Sequence, residues 1–107
     1  MTVKVVIKRR IPKEKEQALI NLITQMRTVA SRKKGYVSGE TLWGVENPDE
    51  YLVISTWRTI EDWERWKNSE ERNSLQIKID VLGAGETTYT IYRYPEVVAD
   101  EFSDPLM

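Results

Sequence analysis

Tyr36-Val37-Ser38-Gly39-Glu40-Thr41-Leu42-Trp43-Gly44-Val45 leads through Asn47-Pro48-Asp49 into Tyr51-Leu52-Val53-Ile54-Ser55-Thr56-Trp57. The two outer runs are rich in β-branched and aromatic residues, which fit a pleated, half-buried surface. The triplet between them is turn chemistry: proline presets φ, and Asn and Asp bond their own backbone. The stretch therefore predicts a β-hairpin. Alternation sends Tyr51, Val53 and Trp57 to one face of the second run and Leu52 and Ile54 to the other. Large apolar groups thus stand on both faces, whereas a sheet covered on one side alternates apolar with polar.

Upstream, residues 3–9 read as a first strand, with Val3, Val5 and Ile7 on one face and Lys4, Val6 and Lys8 on the other. Pro12 suits the first turn of a helix, where its missing N–H costs nothing. Over residues 13–31, Ala18, Leu19, Leu22, Ile23, Met26, Val29 and Ala30 form one apolar stripe at helical spacing. Arg32, Lys33 and Lys34 fit the negative end of that helix, and Gly35 its stop.

Downstream, Thr59 is an expected N-cap with Asp62 three residues on. The helix over residues 60–67 carries Ile60, Trp63 and Trp66 on one side. Ser69 caps a further short helix that runs through Leu75, Gln76 and Ile79 and stops before Gly83. Residues 86–94 form a last strand, ended by Pro95. The order is β, α, β, β, α, α, β. The fold class is therefore α+β, a ferredoxin-like βαββαβ with an extra short helix before the last strand. Helices cover one sheet face, and the simplest cover for the other is the same sheet of a second copy. Residues 1–95 form the domain. Residues 96–107 are an acidic tail, expected to pack on the partner through Phe102 and Leu106.

The chain has 107 residues, no cysteine and no histidine, with 16 Lys plus Arg against 17 Asp plus Glu. Serine–histidine and cysteine–histidine chemistry are excluded, and no metal site is expected. The net charge of −1 argues against nucleic acid. Lys33-Lys34-Gly35-Tyr36 resembles the start of an RNA-recognition motif, but Val37, Ser38 and Gly39 do not continue it. No apolar run is long enough for a membrane. Cytoplasm is the expected compartment.

Gly35-Tyr36-Val37-Ser38-Gly39, Asn47-Pro48-Asp49, Ser55-Thr56-Trp57-Arg58-Thr59 and Trp63-Glu64-Arg65-Trp66-Lys67-Asn68-Ser69, in that order and spacing, resemble the antibiotic biosynthesis monooxygenase family. The resemblance implies a dimeric α+β barrel with a cavity between helices and sheet. Some members oxidise polyketide-like aromatics without a cofactor, others degrade haem, and many have no assigned reaction. The asparagine, tryptophan and histidine of the haem degraders fall here on Arg9, Trp66 and Gln76. Only the tryptophan is kept, which argues against haem degradation.

Trp66 is read either as a pocket wall or as packing with Ile60 and Trp63. Trp57 and Trp63 are read as core, and Trp43 as near the dimer face. Arg9 continues the Val3, Val5, Ile7 face. The simpler expectation is that the strand ends there and the guanidinium reaches water; the sharper one is that it holds an anionic oxygen at a cavity mouth. Asn68, Asn73 and Gln76 could bond a ligand carbonyl, or lie at helix junctions. Tyr89 faces away from Tyr92 and Tyr94, so one group could line a pocket and the other an interface. The resemblance implies a pocket for a small aromatic or quinone-like ligand in a homodimer, with no cofactor expected and the catalytic residues unassigned. A cofactor-independent monooxygenase and a non-enzymatic ligand-binding or structural barrel both fit these residues.

Overall fold

A computed structural model describes residues 1–83 and 85–95. The expectations for the acidic tail lie outside the described residues. The elements are β1 (Val3–Arg10), a 3-10 turn (Lys13–Lys15), α1 (Glu16–Ala30), β2 (Tyr36–Trp43), β3 (Glu50–Trp57), α2 (Ile60–Lys67), α3 (Glu70–Leu82) and β4 (Thr88–Arg93). The strands form one antiparallel sheet in the order β2-β3-β1-β4, so the first and third strands are central, as in a ferredoxin-like fold. The fold is α+β, as expected. Two details differ. The helix before the last strand runs 13 residues, and the short one is α2, with 8. The second strand stops at Trp43 rather than Val45, because Gly44 already belongs to the turn: its N–H donates to Glu50 O at 2.9 Å.

The local signals explain the boundaries. Gly35 holds φ +87°, a left-handed conformation that a residue with a Cβ adopts at a cost, and so turns the chain from α1 into β2. Thr59 Oγ1 accepts the Asp62 N–H at 3.0 Å, and Ser69 Oγ accepts the Arg72 N–H at 3.2 Å, capping α2 and α3. An extra residue, Val37, bulges between Tyr36 and Ser38.

Helices cover one sheet face. Val3, Val5 and Ile7 pack there with Ala30, Trp57, Trp63 and Trp66; Ile11, Leu19, Ile23, Met26, Tyr51, Leu75 and Ile79 form a second cluster beside them. On the other face the register places Leu42 beside Leu52, Ile54 beside Val6, and Lys4 beside Tyr92. An apolar diagonal thus crosses that face, flanked by Lys4, Lys8 and Glu40. Trp43 is not on it. It pairs with Tyr51, so it stands on the helix side, and Lys13 Nζ sits 5.9 Å from its ring centre. Among the described residues no helix is long and apolar enough to cross a membrane.

Candidate functional site

Between α1 and the covered sheet face lies a cleft closed at one end by α2 and α3. Its walls combine Ile23, Met26 and Ala30 of α1 with Trp57, Trp63 and Trp66, and three arginines reach it: Arg9, Arg27 and Arg72. Among the described residues no carboxylate lines it. Unfilled space totals about 440 Å³ with the open mouth counted, but the centre of a water molecule can occupy only about 40 Å³. The resting cleft is thus a slot for a few waters. Tyr36, Gly39 and Arg27 are only partly buried and form the mouth. Gly39 leaves room for them, since a Cβ would come within 2.8 Å of the Tyr36 hydroxyl and 3.2 Å of Arg27 Nε and would push those side-chain ends aside.

The aromatic wall is built around Trp57. Trp66 stacks on it with centroids 6.4 Å apart and planes at 23°; Tyr36 and Trp63 meet it edge-on at 5.4 and 6.1 Å. These are the offset and edge geometries that the ring quadrupoles favour. The Trp57 indole N–H donates to Ser55 Oγ at 3.2 Å, which satisfies its polar atom. Trp57 and Trp63 are core as expected, and they also line the cleft. Trp66 does both things too: it is buried and its face is a cleft wall.

Arg9 does not reach water. It is 3% exposed. The strand does not end there: Arg10 continues it, the Ile11 N–H donates to Asp49 O at 2.9 Å, and Ile11 is buried. The guanidinium therefore points, like Val5 and Ile7, under the helices. Its Nη2 donates to Gln76 Oε1 at 2.9 Å. Arg72, 2% exposed, donates Nη2 to the same oxygen at 3.3 Å and to the Tyr89 hydroxyl at 2.5 Å. Its guanidinium carbon also lies 5.9 Å from the Trp63 ring centre and 5.2 Å from that of Tyr89. Gln76 passes the contact outward, donating Nε2 to Asp80 Oδ1 at 2.8 Å and Thr87 Oγ1 at 3.2 Å. Burial lowers the Arg9 pKa to about 10, with the nearby Arg72 charge acting the same way against Tyr89 and Asp80, so the group stays protonated at neutral pH.

Of the residues singled out in the sequence, Arg9 and Trp66 line the cleft, and Gln76 and Tyr89 hold its arginines in place. Asn68 and Asn73 are exposed and do not join them: Asn68 ends α2, and Asn73 lies on the outer side of α3. Arg72 was not singled out. Its signal was present, since Arg72, Leu75, Gln76 and Ile79 share one helical stripe and all four are buried.

The family model for antibiotic biosynthesis monooxygenase matches residues 2–76, which spans Arg9, Trp66, Arg72 and Gln76. The chain belongs to the antibiotic biosynthesis monooxygenase family. Among solved structures, this family member superposes on a conserved protein from Methanosarcina mazei Go1 with TM-score 0.82 and 20% identity, covering 89% of this chain and 94% of that one. Rv0793 from Mycobacterium tuberculosis follows at 0.79 and 14%, covering 91% and 98%. SnoaB, a cofactor-independent oxygenase from Streptomyces nogalater, gives 0.76 and 11%, covering 91% and 96%. At these identities the likeness concerns the fold. No curated protein sequence matches significantly.

Proposed function

We propose that this family member is a cofactor-independent monooxygenase for a small aromatic, quinol-type substrate, acting as a cytoplasmic homodimer. The observation that carries this reading is the cleft itself, an indole-walled slot whose charged lining groups, among the described residues, are all guanidinium cations. A flat ring would enter at Tyr36 and Arg27 and lie along Trp57 and Trp66 once the mouth residues turn aside.

The lining residues then divide the work. Apolar and indole surfaces exclude water, which strengthens electrostatics inside. Arg27, the guanidinium at the mouth, favours the deprotonated substrate over its neutral form, so it lowers the substrate's pKa. No described lining residue is a base at neutral pH, so the proton leaves to water. The resulting carbanion or phenolate reduces O₂, a carbon–oxygen bond forms, and loss of water from the hydroperoxide leaves the quinone carbonyl. At an anthrone-type CH₂ two hydrogens leave the carbon, one oxygen atom stays as the carbonyl and the other departs in water; at a quinol's ring C–H the product is a hydroxyquinone, with the second oxygen again leaving in water.

Haem turnover is not part of this reading. The chain contains no histidine, and the Gln76 amide is already committed to Arg9, Arg72, Asp80 and Thr87. The test is oxygen consumption with anthrone or a hydroquinone, with the product identified by mass spectrometry under labelled O₂. One labelled oxygen in a quinone supports the reading. Saturable binding of the same compounds with no oxygen uptake would make the protein a ligand-binding barrel instead.

A further inference from the structure

We propose that the ligand of this cleft carries a permanent carboxylate, apart from any reacting carbon, and that Arg9 and Arg72 receive it. The inference rests on reading the cleft as a ligand site. It goes beyond that reading by naming a charged substituent.

The argument begins with an imbalance. Arg9 and Arg72 are both almost fully buried, and both are bonded to one neutral amide oxygen. Among the described residues neither has a carboxylate within ion-pair distance; every such pair involves other residues. Asp80 reaches them only at one remove, through the Gln76 amide. Buried charges are ordinarily paired, because desolvation is otherwise uncompensated. Arg9 Nε is moreover a buried donor with no hydrogen-bond partner among the described residues. Such donors are rare in folded proteins and point to a missing acceptor.

The character of that acceptor follows from the donors. Both guanidinium groups are charged in the resting protein, so the group that compensates them is charged at rest as well. An enolate formed during turnover exists too briefly to serve. A carboxylate is planar, is ionised at neutral pH, and accepts the side-by-side donors of a guanidinium edge. The aromatic wall formed by Trp57 and Trp66 belongs to the same cleft, so the ligand class is an aromatic carboxylate.

The experiment compares benzoate with benzamide, two probes of nearly equal shape that differ in charge, on the full-length protein. Binding is read by indole fluorescence and by NMR of the tryptophan ring N–H signals. Benzoate should bind at least about tenfold more tightly than benzamide. Arg9→Met and Arg72→Met should each remove most of that preference, weakening benzoate far more than benzamide. Loss of a buried guanidinium could also disturb folding, so a second variant is needed. Gln76→Glu combined with Asp80→Asn places a carboxylate between the two arginines without a neighbouring like charge. It should abolish the preference while keeping the benzamide signal. Equal affinity for the two probes, or failure of both to bind, would overturn the proposal. So would a benzoate preference that survives in the Gln76→Glu, Asp80→Asn protein, since the anion would then sit elsewhere, with Arg27 the remaining cation of the cleft. Neither probe can be oxidised to a quinone by the route above. If the probes bind equally while anthrone still consumes oxygen, only this inference fails. If benzoate wins and no quinol is oxidised, the catalytic reading fails and this one stands.

Discussion

A Cβ on Gly35 would overlap the carboxylate of Asp62, so the N-terminal turn of α2 docks directly onto the backbone that links α1 to β2. Gly35 O also accepts the Arg58 N–H at 2.7 Å, which ties this crossing to the end of β3. One glycine therefore satisfies two demands, a φ of +87° and the absence of a side chain. Gly35→Ala should cost roughly 2–4 kcal/mol, the sum of backbone strain and displacement of α2. Urea unfolding measures this directly, and a loss of only a few tenths of a kcal/mol would show that α2 moves away freely.

The same carboxylate predicts an acid transition. Hydrogen bonding to Thr59 chiefly, with help from Arg65 at 2.9 Å and the charge of Lys34, holds the Asp62 carboxyl below its usual range against the opposing effect of burial. A depressed carboxylate binds its proton more weakly in the folded state than in the unfolded one. Its contribution is therefore complete above the ordinary Asp range and fades as pH falls through the folded value. Melting temperatures of wild type and Asp62→Asn, followed from about pH 7 to about pH 3, should converge on the acid side. Parallel curves would show that the cap does not depend on the charge.

How much of this was legible in the sequence depends on whether local chemistry decided the matter. Thr59, Ser69, Gly35 and Asn47-Pro48-Asp49 act within a few residues of themselves, and each does what its residue type implies. Strand alternation also set Val5 with Ile7 and Ile54 with Leu52 on shared faces, while which face of the third strand lies under the helices depended on the pairing of β1 with β3. Arg9 was on the right face, but its burial depended on the strand continuing to Arg10 and on Gln76 arriving from 67 positions away. Arg72 resisted reading for the opposite reason. A residue after a cap and two glutamates looks like a solvated first turn, and only the Leu75 and Ile79 stripe says otherwise. Asn68 and Asn73 were drawn into the candidate site by nearness to Trp66 in sequence, and helical geometry turned them outward.

Trp66 offers an optical test of the cleft. Because it lies at 23° to Trp57, a flat ligand such as a naphthol entering the slot should quench indole fluorescence. Trp66→Phe keeps an aromatic ring in the stack, so it should lower stability by only about 1–2 kcal/mol while removing part of the quench. An unchanged quench with the same stability loss would reduce Trp66 to packing.

Residues 53 and 54 separate the fold from the assembly. Val53 pairs with Ile7 on the helix side and lines the cleft, whereas Ile54 pairs with Val6 on the open face, where the apolar diagonal from Leu42 to Tyr92 runs. If a second copy covers that face, a two-fold axis brings each substitution into the interface twice. Placing a carboxylate there without a partner costs about 2 kcal/mol or more per copy, about 4 kcal/mol for the pair, so Ile54→Asp should raise the dimer dissociation constant by about a thousandfold. Sedimentation would then show monomer at micromolar concentration, and the melting temperature would rise with protein concentration. Val53→Asp puts its charge between sheet and α1 instead, so it should lower the melting temperature by an amount that does not change with concentration. A wild-type protein that is already monomeric at those concentrations, with Ile54→Asp no less stable than it, would mean that the diagonal is an ordinary solvated face and that the cleft works within one chain.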